Sequence, residues 1–245
     1  MTIAIIGFSR FGQLWARLMK PFGRVIVFNR SDQRHLAKEI GVDFFNFDQL
    51  SELKTADWIF LAVAISATEK VIKEIKPFVG PQVVVMDVCS VKALPCRWLQ
   101  ENFPPPIQTM GTHPMFGPDS VKTGLAGKQM ILCPLNIDPA KLDELTNIFK
   151  SLKLKVLQVT PAEHDQQTAY SLALVHFLGR GLEQLDLDKI TISTLGFERL
   201  LEVRSNVSHD SWQLFEDLEK LNPFAEEMRK KVMVTLQNIN RNLSV

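Results

Sequence analysis

The chain has almost no net charge, with Lys+Arg 28 against Asp+Glu 27 for +1 overall. That excludes a global field drawing it to nucleic acid or to an anionic membrane surface, while leaving room for a local anion site. Cysteine is scarce. Cys89, Cys96 and Cys133 are odd in number and lack CxxC spacing, which argues against a disulfide framework and a thiolate metal site, so no metal is expected. A reducing, cytoplasmic compartment fits that usage. No long apolar run opens the chain: Thr2-Ile3-Ala4-Ile5-Ile6-Gly7 is too short to span a bilayer and has no cleavage pattern, so neither a signal or transit peptide nor a membrane segment is expected. Internal repeats and low-complexity segments are missing as well. What remains is 245 residues, enough for one large or two smaller domains with buried cores.

Thr2 to Ile6 is a β-branched apolar run ended by Gly7, and Phe11, Leu14, Trp15, Leu18 and Met19 then follow at helical spacing up to Pro21. The pattern is strand, tight turn, helix. The turn Gly7-Phe8-Ser9-Arg10-Phe11-Gly12 is a GxGxxG fingerprint with Ser9 in place of the middle glycine. In such turns the backbone N–H groups and the helix N-terminus receive a dinucleotide pyrophosphate. A serine there either crowds that approach or adds a hydroxyl hydrogen bond. Gly7, Ser9, Arg10, Phe11 and Gly12 are therefore candidate cofactor residues.

A second strand, Arg24 to Phe28, ends in Asn29-Arg30-Ser31, and the carboxylate that would meet a ribose 2′-hydroxyl in an NAD site is missing. Asn29 and Ser31 can donate hydrogen bonds and Arg30 can pair with a 2′-phosphate, so NADP is expected ahead of NAD. The same residues also suit a solvated turn that caps the next helix, and both roles can hold together.

The alternation continues through Trp58–Val63, a helix from about Thr68 to Lys76, the strand Val83–Met86 and then Asp87-Val88-Cys89-Ser90-Val91-Lys92. It implies a parallel sheet covered on both faces, with ligands received at the strand C-termini, where Ser66, Ser90 and His113 would share one edge. Pro95 would delay the following helix and leave Ser90 in a loop, although Ser90 also suits a helix cap. Beyond it, Gly111-Thr112-His113-Pro114-Met115-Phe116-Gly117-Pro118 reads as a Gly/Pro-rich loop: Pro114 forces His113 to be extended, the glycines allow sharp turns, and the imidazole is held out. With an ordinary pKa of about 6.5, such a histidine can give or take a proton near neutrality.

Met130–Leu132 reads as a strand, Leu142, Leu145, Ile148 and Phe149 as a buried helix face, and Lys155–Val159 as a final strand. From Pro161 the pattern is helical, with Ala169, Leu172, Val175, Leu178, Leu182 and Leu185 forming a stripe on a central helix. His176 interrupts that helix, and Arg180, one turn on, shares its face, so that the pair could receive a carboxylate. The last helix is capped by Asn222 and begun by Pro223; Ala225, Met228, Val232, Leu236, Ile239 and Leu243 line one face.

Asp87-Val88-Cys89-Ser90-Val91-Lys92 followed by Gly111-Thr112-His113-Pro114-Met115-Phe116-Gly117-Pro118 resembles the prephenate/arogenate dehydrogenase family of tyrosine biosynthesis. Ala162-Glu163-His164-Asp165, His176 with Gly179-Arg180, Gly196-Phe197-Glu198 and Ser208-His209-Asp210-Ser211-Trp212 extend the resemblance over most of the chain. Pro95 and Phe116-Gly117-Pro118 look closest to the NADP-using arogenate enzymes of plants. The resemblance implies a catalytic His113 with Ser90, substrate contacts from His176, Arg180, Arg204 and Thr112, and a homodimer built through the C-terminal domain with the active site near the interdomain cleft. Where the family often has a basic residue, six positions after the glycine of Gly196-Phe197, this chain has Glu202, with Arg199 and Arg204 nearby. A glutamate there would favour the ammonium of arogenate over the keto acid prephenate.

The expectation is thus an α/β protein: a Rossmann-type doubly wound sheet over residues 1–158, then an all-α substrate and dimerisation domain over 159–245. Its function would be NADP-dependent oxidative decarboxylation of a cyclohexadienyl substrate, with no nucleic-acid partner. The alternatives are a non-catalytic NADP-binding regulatory dimer and a β-hydroxyacid dehydrogenase-like reductase. The downstream helical lysine that the latter needs is not apparent.

Overall fold

The computed structural model describes residues 1–243. It divides into two compact units, Met1–Pro161 and Ala162 onward.

In the first unit the apolar runs become strands and the amphipathic segments become helices. In chain order these are β1 (Thr2–Ile6), α1 (Arg10–Met19), β2 (Arg24–Asn29), α2 (Arg34–Ile40), β3 (Asp43–Asn46), β4 (Trp58–Leu61) and α3 (Ile65–Ile75). They are followed by β5 (Val84–Asp87), α4 (Ala93–Asn102), β6 (Gln108–Pro114), β7 (Gln129–Asn136), α5 (Pro139–Ser151) and β8 (Lys155–Gln158). The eight strands form one sheet in the order β3-β2-β1-β4-β5-β6-β7-β8. Central strands are buried on both faces, which is why they read as continuous apolar runs rather than alternating ones. On one face Ile3, Ile5, Val27, Phe60, Met86 and Met110 pack with Trp15 of α1 and Phe149 of α5. On the other, Ala4, Ile6, Phe28, Leu61 and Val85 pack with Ile72 of α3 and Leu99 of α4.

Three boundaries differ from the sequence expectation. The parallel order holds from β1 to β6 and breaks at β7, which pairs antiparallel with β6. The segment between them holds only a short 3-10 turn at Ser120–Thr123, too little for the crossover a parallel return requires. Helix α3 begins at Ile65, so Ser66 lies in its first turn. His113 is not in a loop: it is the penultimate residue of β6, opposite Ile131, and is buried at 4 % exposure. Pro114 does impose extended backbone, and extended backbone next to a waiting β7 is strand.

The second unit is helical, as expected. It contains α6 (Pro161–Thr168), a π-helical turn at Ala169–Ala173, α7 (Leu174–Glu183), α8 (Leu195–Ser208), α9 (Trp212–Leu221) and α10 (Ala225–Leu243). The π turn inserts an extra residue and rotates everything after it. The buried positions are accordingly Ala169, Ala173, His176 and Gly179, while Val175, Leu178 and Leu185 of the expected stripe are exposed. At Gly179 a side-chain Cβ would stand 2.5 Å from Val207, so the glycine is what lets α7 approach α8. Asn222 accepts a hydrogen bond from Phe224 N–H at 2.9 Å just before α10. Ala225 and Met228 are buried, whereas Leu236, Ile239 and Leu243 of the same face are exposed.

Candidate active site

The turn between β1 and α1 is built by two glycines that nothing else could replace without movement. Gly7 has φ +101°, and a Cβ there would lie 2.3 Å from the Ala62 carbonyl oxygen; a Cβ on Gly12 would lie 2.1 Å from the Gly7 carbonyl oxygen. Both therefore serve close approach of strand, turn and helix. Ser9, in the middle position, has φ −66° and ψ −177°, ordinary extended backbone in which a serine is unstrained. No side chain caps α1, so its first-turn N–H groups can meet an anion.

The remaining cofactor candidates are placed as follows. Phe11, partly exposed, stacks on Trp15 with ring centroids 5.8 Å apart. Arg10 reaches Asp119 at 2.7 Å, and that contact, with Lys122 behind it, holds the Asp119 carboxyl below its usual range. Asn29 closes β2: its Oδ1 accepts from Phe8 N–H at 3.3 Å, and its Nδ2 donates to the Ser31 hydroxyl at 2.8 Å. Arg30 pairs with Glu74 at 2.5 Å and lies 4.5 Å over the Phe47 ring. Ser66 is exposed at the start of α3, beside a surface hollow lined by Glu69, Lys70, Lys73 and Glu74.

Because β1, β2, β4, β5 and β6 run parallel, their C-terminal ends share one edge of the sheet. Asn29, Gly7, Ser66, Ser90 and His113 follow along it in that order. Ser90 is half-buried in the loop between β5 and α4, and Pro95 falls in the first turn of α4, where proline is tolerated. Thr112 has no exposed surface, and its hydroxyl donates to the Asp87 carbonyl at 2.5 Å; that placement does not offer the hydroxyl to a substrate.

Sequence reasoning missed Lys92. Its side chain and that of Asp87 are fully buried and form an ion pair. Burial acts to lower the Lys92 pKa, but the Asp87 carboxylate outweighs it and holds the ammonium above its usual range. Burial, then Asp87, pushes the neighbouring Cys89 thiol up. Lys92 closes the motif that carries the family resemblance, but an Asp and a Lys five residues apart give no sign of a buried pair.

In the helical unit His176 and Arg180 do share a face, and both turn toward Asp210. His176 Nε2 lies 3.6 Å from Asp210 Oδ2, beyond a hydrogen bond, and Nδ1 is buried with no hydrogen-bond partner. Burial lowers the His176 pKa, Asp210 opposes and Arg180 reinforces the shift. Near neutrality His176 is thus an uncharged hydrogen-bonding group. Arg180 donates to Glu183 at 3.0 Å and to the Asp210 carbonyl at 2.5 Å, and lies 5.6 Å over the Trp212 ring. Arg204 is not brought to that cluster by a contact; it pairs with Asp188 at 2.5 Å. Glu202 is exposed.

Comparison with known proteins agrees with this fold. The family model for the prephenate dehydrogenase nucleotide-binding domain matches residues 15–158, and a TYRAAT1-like C-terminal domain model matches 181–245. Arogenate dehydrogenases 1 and 2 of Arabidopsis thaliana, both named chloroplastic, are each 31 % identical to the chain over 252 residues and 99 % of its length. The chain spans 39 % of the first and 70 % of the second. A crystal structure of prephenate dehydrogenase from A. aeolicus, in complex with hydroxyphenyl propionate and NAD+, superposes with a TM-score of 0.80 at 17 % identity, covering 98 % of this chain and 90 % of that one.

Proposed function

The chain belongs to the prephenate dehydrogenase family, and on that premise we propose that it catalyses oxidative decarboxylation of a cyclohexadienyl acid, arogenate ahead of prephenate, with NADP. The observation that carries this reading is the placement of Ser90 and His113 on the sheet edge that also bears the Gly7–Gly12 turn. Family membership leaves the regulatory dimer and the hydroxyacid reductase without a supporting observation.

The substrate has a hydroxyl at C4 and a carboxylate at C1. The nicotinamide, when bound, supplies the acceptor for the C4 hydride. His113, buried and extended, takes the C4 hydroxyl proton, and Ser90 holds that hydroxyl in line with the imidazole. As the C1–carboxylate bond breaks, its electron pair closes the aromatic ring and carbon dioxide leaves. The phenol oxygen recovers the proton from His113, so the histidine ends as it began. Positioning and general-base catalysis each contribute several powers of ten at most, and aromatisation supplies the driving force.

Gly7, Ser9, Arg10, Phe11, Gly12 and Ser66 would hold the dinucleotide, through backbone N–H groups at the uncapped start of α1 and polar side chains along the edge. The tight turn and unstrained Ser9 fit such a group. At the ribose, Asn29, Arg30 and Ser31 present no carboxylate of their own, which supports NADP. His176, uncharged near neutrality, is the substrate-carboxylate contact in this reading, while Arg180 and Arg204 are already paired with carboxylates of their own unit. Exposed Ile192, Leu195, Leu236, Ile239 and Leu243 support a homodimer that covers them. Three buried free thiols, Cys89, Cys96 and Cys133, support a reducing, cytoplasm-like compartment, and among the described residues no helix is long and apolar enough to cross a membrane.

The deciding experiment presents arogenate and prephenate, each with NAD and NADP, to the purified protein and follows reduced-cofactor absorbance. Turnover is expected fastest with arogenate and NADP; no turnover with any pairing would reject the reading.

A further inference from the structure

The β5–β6 ladder ends at Asp87 opposite Gly111. Past that point the β5–β6 pairing stops, yet the next β6 residue, Thr112, is held firmly by side chains. Lys92 Nζ donates to the Thr112 carbonyl at 2.6 Å, and the Thr112 hydroxyl donates to the Asp87 carbonyl at 2.5 Å. Lys92 Nζ also donates to Asp87 Oδ2, which accepts from Cys89 N–H at 2.9 Å. The backbone of Lys92 is fixed in turn, since its carbonyl accepts from Cys96 N–H at 2.9 Å as α4 begins.

Gly111 lets the start of α4 approach the strand. A Cβ there would stand 2.4 Å from Cys96 Sγ and 3.2 Å from Cys133 Cβ, while Lys92 Cδ, at 3.5 Å, would be in ordinary contact, so the glycine of the histidine strand makes room for Cys96, in the first turn that follows Lys92. Its role is close approach within a strand rather than a sharp turn.

Resting on the reading that Ser90 and His113 serve the dehydrogenation, we propose that Lys92, paired with Asp87, is a positioning residue: it ties the Ser90 loop shut and clamps the backbone next to His113. The five-residue step from Asp87 to Lys92 is closed by the ion pair, with Ser90 carried between its ends. One clamp thereby sets both members of the proton-handling pair.

A purely stabilising role explains less. A fully buried ion pair commonly gains little over apolar side chains of the same volume, because desolvation offsets the attraction. Here Asp87 Oδ1 is also left without a hydrogen-bond partner. What the pair uniquely supplies is a donor to one backbone carbonyl, in a fixed place.

The test uses the full chain with Lys92→Met alone and with Asp87→Asn/Lys92→Met. The single variant leaves a lone buried carboxylate and should be less stable. The double variant removes both charges while keeping volume and an acceptor for Cys89 N–H, so its melting temperature should return toward the parent. Its turnover should nevertheless stay down by roughly 10²-fold, the scale of a misplacement of about 1 Å, through kcat and not through cofactor affinity. In parallel, the His113 imidazole signals in labelled protein should move or broaden in the double variant. If the parent turns over neither substrate, the proposed function fails by itself, and the imidazole signals still decide the positioning role. Parent-like turnover in the double variant, or parent-like imidazole signals in an inactive protein, overturns the proposal. Failure of both variants to fold also overturns it, since the pair would then be a folding requirement.

Discussion

Under the proposed NADP reading, Glu74 competes with the 2′-phosphate for Arg30, and the contest can be weighed. Their contact is short, 2.5 Å, but the side chains are 57 % and 32 % exposed, and an ion pair in water contributes only about 0.2–1 kcal/mol. A charge-assisted hydrogen bond to phosphate contributes about 1.5–3 kcal/mol. The phosphate therefore wins, and Arg30 yields a net gain of about 1–2 kcal/mol, a factor of roughly 5–30 in NADP affinity. Arg30→Ala should lose that factor for NADP and leave NAD nearly unchanged. Glu74→Gln should do the reverse. It removes the competitor and a like charge, so NADP should tighten about 1.5- to 5-fold while NAD, which has no 2′-phosphate, stays constant. Calorimetric titration of both cofactors against parent and variants reads this directly, and repeating it at high salt should shrink the Glu74→Gln effect. If Glu74→Gln tightens both cofactors equally, or if the parent binds them equally, Arg30 does not read the phosphate.

Three further outcomes are expected. His113→Asn should fold and bind cofactor as the parent does but lose about 10²–10⁴-fold in kcat, together with the limb of the pH–rate profile along which turnover rises as the base loses its proton. Parent-rate turnover by that variant would eliminate His113 as the base. His176→Asn should raise the Michaelis constant about 3- to 10-fold, the value of a neutral hydrogen bond, with cofactor affinity intact. Because burial, and then Arg180 against the opposing Asp210, lowers the His176 pKa, the unfolded chain takes up a proton that the folded imidazole resists. Stability of the helical unit should thus fall as pH drops below the ordinary histidine range, and His176→Asn should flatten that slope in a series of melts. Leu236→Asp with Ile239→Asp should convert a dimer to monomer in sedimentation; an unchanged sedimentation coefficient would place the dimer contact elsewhere or show that there is none.

What could be read from the sequence depended on how local the cause was. Strand, turn and helix at Thr2–Met19 are set by neighbours along the chain, so the Gly7–Gly12 turn and its partner strands were legible. The place of His113 was not. Gly111 and Pro114 look like turn residues, but one is needed because Cys96 of α4 and Cys133 of β7 approach it, and the other ends a strand whose partner, β7, begins fifteen residues on from Pro114. The Asp87–Lys92 pair escaped for the same reason, since two opposite charges at the ends of a short loop do not announce zero exposure. In the helical unit the expected stripe was misread after Ala169, because a π turn changes the period that a stripe is counted on.

The proposed proton and hydride chemistry at one carbon would require accurate placement of both partners, and the residues proposed for each lie along a single sheet edge. At one end the Gly7–Gly12 turn is fixed by contacts so close that a Cβ at either glycine would collide with backbone. At the other, His113 is fixed from three sides: Ile131 across the strand, Pro114 behind it, and Lys92 on the carbonyl before it. Between them β4 and β5 stand in register, Leu61 opposite Asp87, so the spacing of the two ends is set by strand pairing and not by loops. A base carried in a loop would have to be ordered when substrate arrives, at an entropic cost that lowers the rate. A base carried in a buried strand has met that cost on folding. The demand is then transferred to the residues that hold the strand end, which is why a lysine that never touches substrate should matter for kcat.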